Sequence, residues 1–360
     1  MINIIYGYYV SHGGIGRFIS ETLKHVKDLR EYEILTIEKT IDYPREIHVN
    51  LVGCKRDNSF LSNKENRNFS LAIKRIVKNR KDSIQHSHGI YQINPHFYTA
   101  HICLAAYLRQ VERLFGKAVA GDFSDILRTE RIMLEGLEED KIFPVSKKVA
   151  GELSEFYGFD EQKFTVVSGA SRFRNRNKLK NKENKIKRVG LVGNNIYAKG
   201  MLMVCDIIRR LRTEGTLVEG IFVGCDENTQ RTIRSHMDKG ITLVEKTQIG
   251  EEFYRSLDSY MCLSAYEGYS LSTLEAMSLG VPVISSSSNG VFFDAKIDNP
   301  KLQLAEVKDI TNQDEIVEIT KRILYDERFK RKIIKSGLEI TKNRSWKAVA
   351  RYYEQQYATI

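Results

Sequence analysis

The chain has 360 residues, 42% of them hydrophobic and 28% charged, enough for two soluble domains that each bury their own core. Its net charge is +10, yet residues 172–188 hold nine basic side chains against one acid, leaving about +2 for everything else. A basic face spread over the whole molecule is thereby excluded, and the absence of any 18-residue apolar run excludes a membrane-spanning helix.

The first residues, Ile2 to Tyr9, are apolar and aromatic with no basic lead-in, and predict a first strand, not a signal peptide. Ser11-His12-Gly13-Gly14-Ile15-Gly16-Arg17 follows, and Ile15, Ile19, Leu23 and Val26 then recur at helical spacing. Strand, glycine loop and helix suit an anion, because backbone N–H groups and the helix dipole point into the loop. Tight turns also use glycine for other reasons, so both readings stand at this point. Residues 33–37 and 47–52 predict strands, and 66–78 an amphipathic helix. Residues 82–89 form another strand end, with His86 and His88 on one face. That spacing suits a metal, but no third ligand clusters nearby, so hydrogen-bonding histidines are the preferred reading.

Phe97 to Ala100 predicts a short strand ending on His101. Residues 102–117 carry an apolar stripe with Arg109, Arg113 and Lys117; the helix either rests on an anionic membrane surface or is ordinarily half-buried, and the second is preferred. Thr129-Glu130-Arg131 opens a helical stretch. A strand over 141–146 ends in Ser146, followed by a helix over 147–157 and an extended piece over 163–167. The basic, asparagine-rich segment then predicts an interdomain linker.

A strand over 188–192, the turn Gly193 to Gly200 and a helix over 201–211 open the second half. The alternation continues with strands at 217–224 and 241–245 and helices at 230–238 and 252–257. A strand at 259–264 leads to the turn Glu267-Gly268-Tyr269-Ser270. Ser272-Thr273-Leu274-Glu275 has the capping-box pattern, Gly280 ends that helix, and Val281-Pro282-Val283-Ile284 starts a buried strand. Helices are predicted at 315–325, 327–340 and 346–357. Alternating strands and helices in both halves predict two doubly wound α/β domains with parallel sheets and ligands at the strands' carboxyl ends. Five cysteines (Cys54, Cys103, Cys205, Cys225, Cys262) without a Cys-x-x-Cys pair predict a reduced, cytoplasmic chain with no structural zinc.

Glu267, a glycine-bearing turn, Glu275 after seven intervening residues, and then Ala276-Met277-Ser278-Leu279-Gly280-Val281-Pro282-Val283-Ile284-Ser285 together resemble the signature of the group 1 (family 4) retaining glycosyltransferases. Gly13, Gly14 and Arg17 fit that family's Gly-Gly-x-x-Arg loop, and Lys199-Gly200 its phosphate-gripping turn. Asn194 stands where the family has arginine, so a neutral amide replaces a charged fork. The resemblance implies GT-B architecture, with two Rossmann-like domains facing a central cleft. It implies an acceptor-binding domain over 1–170, the basic linker 171–187, a nucleotide-sugar domain over 188–344, and a C-terminal helix, 345–360, crossing back to the first domain. It also implies donor contacts from Gly13, Gly14, Arg17, Asn194, Lys199, Gly268, Tyr269, Ser270, Leu271 and Glu275, with Glu275 on the ribose. Glu267, His101 and Lys199 are the implied catalytic residues, although His101 reads equally as a core-edge histidine.

The activity so implied is transfer of a hexose-type sugar from a UDP- or GDP-sugar to an acceptor hydroxyl on a glycan, lipid or protein, with retention. No Asp-x-Asp occurs, so no obligatory metal and no cofactor beyond the nucleotide sugar are expected. Location is expected to be cytoplasmic, with peripheral membrane contact open. Asn194 motivates an alternative, a catalytically weak nucleotide-sugar-binding or scaffold subunit of a glycosylation complex. Nucleic-acid binding through the linker is not expected, since no aromatic platform is interleaved with its charges.

Overall fold

The computed structural model describes residues 1–9, 13–39, 46–53, 63–80, 82–117, 123–174, 185–193, 196, 198–225, 227–234, 240–244 and 250–360. Two compact units result: Met1–Gly169 with Ser345–Ile360, and Ala170–Arg344. Asn194 and Cys54, and most of the basic segment, lie outside the described residues.

In the first unit the strands are β1 (Ile2–Ile5), β2 (Tyr8–Tyr9), β3 (Tyr32–Thr36), β4 (Glu38–Lys39), β5 (His48–Leu51), β6 (Ile84–Ser87), β7 (Phe97–Ala100) and β8 (Ile142–Pro144). Its helices are α1 (Gly14–Leu23), α2 (Asn63–Lys78), α3 (Leu104–Phe115), α4 (Ser124–Glu135) and α5 (Lys147–Tyr157). The second unit has strands β9 (Lys187–Val192), β10 (Val218–Val223), β11 (Ile241–Val244), β12 (Ser259–Cys262), β13 (Val283–Ser286) and β14 (Ala305–Val307). Helices α6 (Met201–Thr213), α7 (Glu227–Arg234), α8 (Glu251–Arg255), α9 (Leu271–Ser278), α10 (Gly290–Asp298), α11 (Gln313–Tyr325) and α12 (Glu327–Lys342) accompany them, and α13 (Trp346–Tyr357) ends the chain.

Each unit is built on a six-stranded parallel sheet, ordered β5-β3-β1-β6-β7-β8 and β11-β10-β9-β12-β13-β14. Strands β1, β3, β7, β12 and β13 are buried at every residue, as apolar runs are when helices cover both faces of a sheet. In both sheets the strand order reverses beside the first strand, between β1 and β6 and between β9 and β12. That reversal splays the connections apart and leaves a crevice beyond the strands' carboxyl ends. The glycine loop follows β1 and His88 follows β6; the Gly193–Gly200 turn follows β9 and Glu267 follows β12.

Helix α13 belongs to the first unit because its aromatic face is buried there. Trp346 meets Phe18 of α1 edge to face at 5.2 Å, and the Tyr353 and Tyr357 hydroxyls hydrogen-bond Thr99 and His86.

Several expected elements shift. The capping box expected at Ser272–Glu275 does not form: Ser270 caps α9, its Oγ accepting from Thr273 N, and Glu275 turns away to Arg172 and Tyr254. Helix α4 begins at Ser124, five residues ahead of the expected Thr129. The expected helix at 230–238 begins at Glu227, and residues 235–238 lie outside the described set. Helix α10 and strand β14 were not expected. Val291, Phe292, Asp294 and Ala295 are all buried, so α10 presents no repeating polar face for a periodicity argument to find. The linker is partly structure: Lys187 and Arg188 belong to β9.

Candidate active site

In the second unit the residues predicted to grip a donor lie on two adjoining loops at the crevice. Ala265 N donates to Ala198 O at 2.9 Å, which ties the turn after β9 to the loop after β12. Gly200 caps α6 with φ of 64°, and a Cβ there would stand 2.2 Å from Leu263 O. Both facts require glycine. Gly200→Ala is therefore expected to destabilise the second unit by about 3 kcal/mol or more, since strained φ and backbone overlap combine; the urea midpoint of unfolding measures it.

That close approach places Lys199 Nζ in a short ion pair with Glu267, whose Oε2 also accepts from Ser264 Oγ at 3.2 Å. Neither side chain is fully enclosed: 28% of the lysine and 14% of the glutamate remain exposed. Glu267 is held by its backbone as well, its N donating to Ser288 O and its O accepting from Gly290 N. Between them Asn289, fully buried, donates to Thr273 Oγ1 and Ser285 Oγ and accepts from Val291 N. This asparagine fixes the β13–α10 loop against α9, a role nothing in its sequence neighbourhood announces.

Gly268, Tyr269, Ser270 and Leu271 form the entry to α9, with the Arg344 guanidinium 5.4 Å over the Tyr269 ring. Glu275, one turn further, is 1% exposed. Its Oε1 accepts from Arg172 Nε at 2.8 Å and its Oε2 from the Tyr254 hydroxyl at 2.7 Å. Arg172 falls in the basic segment expected as an interdomain linker. Instead Ser171 and Arg172 lie along α9, with Ser171 Oγ also 2.7 Å from Ser278 Oγ. Arg172 and Tyr254 are thus site residues that sequence reasoning missed; no spacing links either to Glu275.

In the first unit, Gly13 precedes α1 in extended conformation and its O accepts from Arg17 N at 2.9 Å. Gly14 is exposed, and a Cβ added there would touch nothing within 4 Å. Arg17 is buried at 8% exposure. One turn along, Phe18 packs edge to face on His101 at 5.0 Å, bringing the glycine loop's helix and the strand-end histidine together. His101 Nε2 lies 3.0 Å from His88 Nδ1, and the His88 and His86 rings lie tilted at 31° with centroids 4.5 Å apart. His86 is bound on both nitrogens, to the Tyr357 hydroxyl at 2.6 Å and Thr99 Oγ1 at 2.8 Å. Burial drives the imidazoles of His86 and His101 down to about 3 and that of His88 well below its usual range. All three are neutral at pH 7, so His101 can exchange hydrogen bonds with a hydroxyl but offers no positive charge to a phosphate. Among the described residues, no group of three or more His, Cys, Asp or Glu side chains is placed to hold a metal.

Glu130 accepts from Leu104 N at 2.9 Å and from the Tyr157 hydroxyl, anchoring the start of α3. Its carboxyl is pushed up to about 7 by burial, against the hydrogen bonds that favour the charged form.

Residues 186–324 match the family model described as "Glycosyl transferases group 1". No curated protein sequence matches the chain. Among solved structures, the chain is similar to WaaG, a glycosyltransferase involved in lipopolysaccharide biosynthesis, with 14% identity over 98% of each chain and a TM-score of 0.79. It is also similar to sucrose-phosphate synthase from Thermosynechococcus elongatus, with 17% identity, 99% of this chain and 98% of that one covered, and a TM-score of 0.76. The Anabaena protein HepE, crystallised with UDP and glucose, matches over 100% and 99% of the two chains at 10% identity and a TM-score of 0.72. At these identities the likeness shows the fold, that of GT-B glycosyltransferases. Among the described residues no helix is long and apolar enough to cross a membrane.

Proposed function

We propose, from a group 1 glycosyltransferase domain over residues 186–324 as the premise, that the chain moves a hexose from a UDP- or GDP-sugar to an acceptor hydroxyl with retention of configuration. The observation that carries this reading is the partly exposed Lys199–Glu267 pair at the crevice of the second sheet. In the proposed step the bond from C1 to the diphosphate oxygen breaks while the acceptor oxygen bonds to C1. The acceptor's proton leaves on the nucleoside diphosphate. Negative charge grows on the diphosphate, and Lys199 is the cation that meets it. Glu267 steadies the positive character at the sugar, and the N–H groups at the start of α9 receive phosphate oxygens.

Glu275, braced by Arg172 and Tyr254, is assigned to the ribose hydroxyls. Gly13 and Gly14 are assigned to the diphosphate: the open space at Gly14 is room for a ligand to approach the backbone, and Arg17 N ties Gly13 O to the first turn of α1. His101, neutral, is assigned to a sugar hydroxyl. The reaction so drawn uses no divalent cation.

The test is a panel of UDP- and GDP-sugars in a thermal-shift assay, followed by release of nucleoside diphosphate and anomeric analysis of the product, each with and without EDTA. Stabilisation by one nucleotide series together with EDTA-insensitive release and an unchanged anomeric configuration is expected. Inversion, or dependence on added metal, refutes the corresponding part. Binding without turnover of any sugar favours instead the weak nucleotide-sugar-binding or scaffold subunit.

A further inference from the structure

The first unit holds a cavity of about 100 Å³, and of the residues assigned to the donor His101 alone borders it. It lies beyond the carboxyl ends of β1 and β6, where the strand order reverses, and His101 and His88 stand in its wall. Much of the remaining wall is hydrocarbon, from Ile15, Ile37, Phe69, Ile90 and Ile102, with the rings of Tyr6 and Tyr98 adding aromatic surface and a hydroxyl each. Besides the histidines, Glu65 and Asn66 are polar groups in the lining, and Asn66 Nδ2 already donates to Ile90 O at 2.6 Å.

The cavity is a built feature and not a packing fault. Its floor is the Tyr91 ring, which meets Phe69 edge to face at 4.8 Å and accepts from Gly7 N at 2.7 Å on its hydroxyl. The ring fits only because Gly7 and Gly89 flank it. A Cβ on Gly89 would lie 2.5 Å from the Tyr91 hydroxyl oxygen, and one on Gly7 3.1 Å. Two glycines and a hydrogen bond hold an aromatic wall in place beside a space left unfilled.

The lining selects the ligand. A bare sugar turns hydroxyls in every direction, and those facing isoleucine and phenylalanine would lose their water partners without replacement. A hydrocarbon loses nothing there and leaves water. A dry apolar cavity of about 150 Å³ takes up benzene, so this one has room for a phenyl edge or a short branched alkyl group.

We propose that this pocket seats the apolar part of the acceptor: a phenyl- or alkyl-bearing alcohol or glycoside, whose hydroxyl group lies at His101. The proposal rests on the glycosyl-transfer reading for its reaction. There the acceptor oxygen takes C1 of the sugar from the nucleoside diphosphate, which departs with the acceptor's proton. Recognition of the hydrocarbon is separate from that reaction and is measured without any donor.

Titration calorimetry of the whole chain with benzyl β-glucoside and methyl β-glucoside is the experiment. Binding of the benzyl compound at least tenfold tighter is expected. Ile37→Trp, which fills the cavity from a half-buried wall position, removes that advantage and leaves UDP binding unchanged. Ile37→Ala enlarges the cavity and shifts the preference toward a naphthyl glucoside, a readout that remains should the tryptophan variant not fold. An affinity that levels off at benzyl assigns a small aglycone; one that climbs through octyl and decyl glucosides assigns an amphiphile. Equal affinity for benzyl and methyl compounds, or a benzyl advantage that survives in Ile37→Trp, overturns the proposal. Nucleoside diphosphate release is followed in parallel. Release without a benzyl preference overturns the pocket assignment alone, and a benzyl preference without release under any donor overturns the transfer reading alone.

Discussion

Replacing Lys199 by alanine is expected to lower kcat/KM by 10²- to 10³-fold, roughly the 3–4 kcal/mol that one preorganised group aimed at developing charge contributes. The effect should fall mainly on kcat, because the diphosphate gains charge as the sugar leaves and the lysine responds to that change. The ion pair complicates a single substitution, since Lys199→Ala also strands a Glu267 carboxylate that is only 14% exposed. Glu267→Gln and the double variant separate the two contributions. If the lysine acts on the diphosphate and Glu267 on the sugar, each single variant loses activity and the double variant loses at least as much as Lys199→Ala, while it recovers stability because no carboxylate is left stranded. Unchanged turnover in a folded Lys199→Ala protein would place the phosphate clamp elsewhere.

The second large effect is acid lability of the first unit. His86 and His88 are buried and neutral, with their pKa values held below the ordinary 6.5. The unfolded chain therefore takes up protons that the folded one refuses. Stability from this source is complete above pH 6.5 and is lost as pH falls toward the depressed native values. At pH 5 the loss amounts to roughly 2 kcal/mol for His86, a substantial part of a typical domain's stability, and His88 adds to it in the same direction. Urea unfolding followed at pH 7, 6 and 5 should show the midpoint falling steadily, with a shallower slope in His88→Gln. A midpoint independent of pH over that range contradicts the burial-driven neutrality of the cluster. Glu130 works in the opposite direction: with its carboxyl pushed up to about 7, its contribution is greatest below the unfolded value and is lost as pH rises through 7.

Much of the site was legible because loop chemistry is local. Gly200 is required by a turn whose φ only glycine adopts cheaply, and the run through Gly280 to Ile284 announces a helix end and a buried strand from neighbouring residues alone. The same locality explains the errors. Ser272 and Glu275 have capping-box spacing, but Ser270 stands nearer the true start of α9 and takes the role. Helix α10 has no polar face to betray its period. Arg172 stands in a run of like charges that predicts a linker, whereas its guanidinium rests on Glu275.

The sequence by itself determined that there are two α/β halves, that glycine turns and capped helices follow particular strands, that Glu267 and Lys199 lie on such turns, and that Glu275 lies in the helix after one of them. These follow from backbone preferences and apolar patterning over a few residues. Only the tertiary structure decided which side chains meet. Lys199 and Glu267 are 68 positions apart, Arg172 and Glu275 are 103 apart, and His86 and Tyr357 are 271 apart. Contacts at such separations depend on the order in which strands assemble into a sheet, and no local pattern encodes that order. Each parallel sheet, reversing beside β1 in one unit and β9 in the other, brings distant segments of its own unit together at the carboxyl ends of its strands.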